Sequence, residues 1–161
     1  AGEARFNPMS YHNGSIWPHD NALIALGLAR YGLKAPALAL FDGLMAAAAF
    51  MEVRRLPELF CGFRRRSATG PTLYPVACAP QAWASATPFA LLGAVLGLGF
   101  DGARRAVRFD RPRLPASLDE VTIRGLGFDD ARADVHLRRS GDEVAVNVVR
   151  RRGDVEVLVR L

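Results

Sequence analysis

Residues 11–21 read YHNGSIWPHDN, and this stretch decides where the first helix of the chain can begin. Asn13-Gly14 is a turn dipeptide, because both residues tolerate positive φ. Pro18 disfavours helix at Trp17, the residue before it. Asp20 is a candidate N-cap for the run ALIALGLA that follows over residues 22–29. The stretch is therefore expected to be a loop that enters a buried helix and carries aromatic and hydrogen-bonding side chains at its mouth. Such an entrance can line a pocket, or can be simply a capped helix with a packed Trp.

Working outward, residues 1–19 are expected to be irregular. A first helix is expected over about 20–31, with Gly32 as its stop. Pro36 suits the first turn of a second helix reaching about Met51, antiparallel to the first because so few residues join them. Residues 52–79 form a long connection with little periodicity, rich in Pro, Gly and Arg. Pro80 is expected to open a third helix ending near Gly97.

Beyond residue 100 the pattern changes to alternation. Residues 102–115 suggest a strand and a turn, and period two then runs over 121–128, 131–139, 143–150 and 155–161. VAVNVV (144–149) and VEVLVR (155–160) are its clearest stretches. Ser140-Gly141-Asp142 and Arg152-Gly153-Asp154 are expected hairpin turns. The fold class expected from this order is mainly α followed by β, with helices over 1–100 and a small antiparallel sheet over 101–161. Between residues 21 and 51 only Arg30, Lys34 and Asp42 are charged. Helices this apolar predict further helices around them, and hence a larger helical domain.

A chain of 161 residues is long enough for one domain with a real core. It starts at Ala1 without a signal pattern, which suggests processing or excision from something longer. The net charge of +5 and the isoelectric point near 10.0 raise the question of nucleic acid. The basic residues are Arg apart from Lys34, scattered, and interleaved with acids beyond residue 100. The short runs at Arg64–Arg66 and Arg150–Arg152 make no continuous strip, so an Arg-rich nucleic-acid binder is the lesser alternative. The uncharged stretch 82–100 is long enough to cross a bilayer, but its Ala, Gly and Ser content and Pro88 favour a buried helix. Cys61 and Cys78 lack metal-ligand spacing and nothing requires a disulfide, so a reducing, cytoplasmic setting is expected.

Carboxylates are few in the helical half, and Glu58 stands apart because it lies between apolar residues in LPELFCG. It is either a carboxylate available for acid/base work or an exposed loop residue paired with Arg54 or Arg55. No Ser-His-Asp or Cys-His set and no phosphate-binding glycine loop emerges. Tyr11, Trp17, Phe60, Tyr74 and Trp83, with polar Asn13, His19, Asn21 and Gln81, suit a sugar, whose CH faces stack on rings. Aromatics at such sites are more often plain core residues than a sugar platform.

Three motifs in order carry a resemblance: YHNGSIWPHDNALIALGLARYG (11–32), RLPELFCGF (55–63) and YPVACAPQAWA (74–84). Together they resemble the C-terminal catalytic portion of bacterial amylo-α-1,6-glucosidases, the glycogen-debranching members of the six-hairpin glycosidases, over about residues 1–100. The resemblance implies the last helices of an (α/α)6 toroid and inverting hydrolysis of α-1,6 or related glucosidic bonds by two carboxylates, about 6.5–9.5 Å apart. It makes Glu58 the general base and puts Tyr11, Trp17, His19, Asp20, Gln81 and Trp83 around the sugar. It places the general acid, an Asp, upstream of this chain, so that the chain would need the remainder of a parent catalytic domain for activity. An α-glucan or oligosaccharide is the implied partner, with no cofactor, metal, nucleic acid or membrane. The alternative is a non-catalytic carbohydrate-binding or structural module.

Overall fold

The computed structural model describes residues 2–161. Three helices come first: α1 (Pro18–Arg30), α2 (Lys34–Ala48) and α3 (Ala82–Leu96). Helix α1 begins two residues before the expected cap. Trp17, extended at φ −101° and ψ 116°, is the N-cap, and Pro18 takes the first helical position that its fixed φ suits. Asp20 falls inside the first turn instead. Helix α3 starts at Ala82, with Gln81 as its N-cap, and ends at Gly97 in the left-handed region (φ 62°). A Cβ there would meet the Asp110 carbonyl, so glycine is required. No helix among the described residues is long and apolar enough to cross a membrane.

The helices pack through small residues. Ala22, Ala25 and Ala29 of α1, Ala37 and Ala48 of α2, and Ala84 and Ala94 of α3 are buried together with Phe41, Leu44 and Leu91. Alanine lets the helix backbones approach closely. Burying a side chain such as Leu56 or Leu91, both 0% exposed, is worth about 1.5–3 kcal/mol.

Six strands follow: β1 (Leu98–Asp101), β2 (Ala106–Asp110), β3 (Glu120–Phe128), β4 (Ala131–Ser140), β5 (Glu143–Arg152) and β6 (Glu156–Arg160). They form two three-stranded sheets, β1-β2-β6 and β3-β4-β5. Val107, Phe109, Val135, Leu137 and Val155 fill the core between them, joined by Leu96 at the end of α3. Leu92 packs against both this core and the helical one.

Two expectations are corrected here. The chain is a compact mixed α/β domain, with three helices followed by two small sheets, and not a segment of an (α/α)6 toroid. Helix α3 does not lead to another helical hairpin: Gly97 turns it directly into β1, and its last residues pack on strands. The surplus apolar surface read from the sequence exists, but it is exposed on α1 at Leu23 and Ile24 and on α3 at Phe89. The tail is also two sheets and not one antiparallel sheet. Residues 153–154 form no hairpin, because β6 crosses to pair parallel with β2. That crossing buries Val155 in one core with Val107 and Phe109.

Candidate functional site

The connection between α2 and α3 is held by the chain's N-terminal arm. Ile16 pairs with Phe60, and Phe60 with Leu73, in isolated antiparallel bridges. Gly62 donates its N–H to the Pro8 carbonyl at 2.9 Å, and Cys61 donates to Thr72 at 2.9 Å. A Cβ on Gly14 would collide with the Asn7 carbonyl, and one on Gly62 with the Gly14 carbonyl. Glycine therefore permits the close backbone approach that brings residues 7–17 against 56–62.

That contact buries six consecutive residues, Leu56 to Cys61, and Glu58 is among them. The residue is 9% exposed and makes no ion pair among the described residues, while Arg54 and Arg55 are exposed. The exposed, Arg-paired alternative is thus excluded. Instead, Oε1 accepts a short hydrogen bond from the Tyr11 hydroxyl, and Oε2 accepts the Cys78 backbone N–H at 3.2 Å. The Glu58 backbone N–H in turn donates to the Cys78 carbonyl at 2.9 Å, fixing both main and side chain.

These donors set the charge state. The Tyr11 hydroxyl and then the Cys78 N–H hold the Glu58 carboxyl below its ordinary range, burial opposes them, and Gln81 and His19 add to the lowering. The same bond, with some burial, pushes the Tyr11 phenol up to about 12. Glu58 is consequently an ionised, oriented carboxylate near neutrality, and Tyr11 stays protonated to serve it.

Aromatic rings surround this pair. Trp17 lies edge-on to Tyr11 at 4.8 Å and donates its indole N–H to the Tyr11 carbonyl at 3.1 Å. Tyr74 approaches Tyr11 at 5.6 Å from the connection. His19 is edge-on to Trp17 at 5.7 Å and stacks on Trp83 at 4.2 Å, with 22° between the planes. Asp20 Oδ1 sits 3.0 Å from His19 Nε2 and is about half exposed. His19 Nδ1 and Gln81 Oε1 are buried without a partner among the described residues. Trp83 is 53% exposed and presents the open ring of the cluster.

The structure thus brings Tyr11, Trp17, His19, Asp20, Glu58, Gln81 and Trp83 to one surface, although they span 73 positions of the chain. Phe60 is not part of it, being 2% exposed in the helical core. Sequence reasoning placed Tyr11 against a sugar, whereas its hydroxyl is committed to Glu58. It also missed the Cys78 N–H, since a main-chain donor has no residue signature. Among the described residues no three His, Cys, Asp or Glu gather to hold a metal ion.

No protein-family model matches this chain, and no curated protein matches it.

Proposed function

We propose that this surface is the base side of a glycoside hydrolase site, of the glycogen-debranching type that the three motifs resemble, acting on α-linked glucosides. The observation that carries the reading is Glu58: buried, held ionised by two directed donors, the first of them from Tyr11 in a cluster of aromatic rings. An inverting hydrolase needs such a carboxylate to take a proton from water as that water attacks the anomeric carbon. Trp83 offers a ring for a sugar's CH face, and His19 and Asp20 offer hydrogen bonds for its hydroxyls. A polar, neutral ligand suits these groups better than nucleic acid, since no Arg or Lys belongs to the cluster. The unpaired thiols of Cys61 and Cys78 support a reducing compartment, the cytoplasm.

The reaction also needs a proton donor. The resemblance assigns it to an Asp outside this sequence, while the cluster's own second carboxylate is Asp20. α-D-Glucosyl fluoride separates the two carboxylate roles, because fluoride leaves without being protonated and so reports the base alone. The chain should hydrolyse it to β-glucose, and Glu58→Gln should slow this by about 10²–10⁴-fold while leaving sugar binding intact. Unchanged turnover in Glu58→Gln would remove Glu58 from the mechanism. On a branched α-glucan oligosaccharide, Asp20→Asn then tests Asp20 as donor.

A second reading, a carbohydrate-binding module, is favoured by the openness of Trp83. It predicts saturable oligosaccharide binding with no hydrolysis of the fluoride above the spontaneous rate.

A further inference from the structure

A separate concavity of about 680 Å³ lies between α2 and the segment from Phe60 to Thr72. None of Tyr11, Trp17, His19, Glu58, Gln81 or Trp83 lines it. Its volume falls in the range of small-molecule sites, about 300–1,000 Å³. The lining along α2 is apolar, at Leu40, Leu44 and Ala47, and the half-exposed rings of Phe50 and Phe63 join it. From Leu40 to Ala47 the helix rises about 10 Å, which is the length of a medium aliphatic chain.

The rim is cationic. Arg64, Arg65 and Arg66 all border the groove, and no Asp or Glu lines it. Among the described residues none of the three forms an ion pair. Arg65 donates from Nη2 to the Gly43 carbonyl at 3.2 Å, which ties the arginine run to the helix. Three unneutralised guanidinium groups beside exposed apolar surface fit an occupant that is anionic at one end and apolar along its body. A sugar, without an apolar body or a charge, does not match this groove.

We propose that the groove binds a small amphipathic carboxylate, its aliphatic chain lying along α2 and its head held by Arg64 to Arg66. Gly43 supplies a direct test, because a Cβ built there meets nothing nearer than the Arg65 guanidinium at 3.8 Å. Gly43→Leu therefore fills the groove from the α2 side, and leucine is the better helix former.

Decanoate, kept below its micelle concentration, is titrated calorimetrically into the full chain, alongside decyltrimethylammonium, which shares its tail but reverses its charge. Decanoate should saturate at one per chain, and the cation should bind at least tenfold more weakly. Gly43→Leu should abolish decanoate binding with its circular dichroism and melting point retained. Arg64→Gln with Arg66→Gln, both exposed, should weaken binding at least fivefold and flatten its salt dependence, and this pair serves alone if Gly43→Leu fails to fold. Glu58→Gln should bind decanoate as the unsubstituted chain does, which separates this groove from the sugar surface. Absence of saturation, equal binding of the cation, full binding by a folded Gly43→Leu chain, or full binding by the double Arg variant would each overturn the proposal.

Discussion

Lys34, the single lysine of the chain, should make the protein more stable as the pH rises from neutrality to about 10. It is 8% exposed at the start of α2, and Nζ donates to the carbonyls of Ala94 and Val95 at 2.9 and 3.2 Å. Burial is the main cause that lowers its pKa from 10.5 to about 8; the Asp110 carboxylate opposes this, and Arg111 and Arg113 reinforce it. Below about pH 8 the ammonium is present in both folded and unfolded chains, and its burial penalty is constant. Between about 8 and 10.5 the folded lysine has lost its proton while the unfolded one keeps it. The unfolded state then binds more protons, so stability rises with pH across that window and levels off above it. The lowering corresponds to roughly 3 kcal/mol unscreened, and discounting by about half for solvent leaves about 1.5 kcal/mol. Lys34→Met provides the reference. It orphans no carbonyl, since Ala94 also accepts from the Gly97 N–H at 3.1 Å and Val95 from the Arg113 N–H at 3.0 Å. Urea midpoints of both proteins, taken from pH 7 to 10.5, should show the substituted chain losing its relative advantage by that amount as the pH rises. A stability difference independent of pH would refute the assignment of a buried, destabilised ammonium.

Three further outcomes follow from the site and its supports. Tyr11→Phe removes the strongest hydrogen bond to Glu58, so the carboxyl should titrate at higher pH by NMR, and the acid limb of any activity profile should move up with it. Conversely, Glu58→Gln should bring the Tyr11 phenol down from about 12 toward its ordinary value near 10, read as tyrosinate absorbance during alkaline titration. Gly62→Ala would drive a Cβ into the Gly14 carbonyl, and thermal unfolding should show a loss of about 2 kcal/mol or more, with the arm at residues 7–17 displaced from Glu58.

What the sequence made legible was local. Pro18, Gly32 and Gly97 mark the ends of helices because each acts through its own backbone angles, and the alternation in VAVNVV needs only its neighbours to be read. The N-cap at Asp20 failed for an equally local reason: Pro18 is itself comfortable at the first helical position, so the helix starts before the residue with the capping side chain. Strand partners were not legible. VEVLVR has the right period for any sheet edge, and its pairing with β2 depends on which apolar faces remain uncovered once β3, β4 and β5 have joined. The resemblance implied the toroid, and the apolar excess implied further helices, but that excess does not state what covers it; here Leu23, Ile24 and Phe89 remain exposed.

Glu58 shows the same limit at the level of chemistry. Its apolar neighbours in LPELFCG were compatible with a buried carboxylate and with a loop residue paired to Arg54 or Arg55. The choice between them turned on Tyr11, 47 positions away, and on the Cys78 N–H, 20 positions away. The two donors are the largest influences on the carboxyl and outweigh the burial that opposes them. Both reach the carboxylate because Gly14 and Gly62 let two loops touch backbone to backbone. The glycines thus support, through the backbone, the hydrogen bonds that lower the Glu58 carboxyl. A substitution at either should raise the carboxyl's pKa as well as lower stability, whereas Leu56→Ala, in the helical core, should affect stability alone.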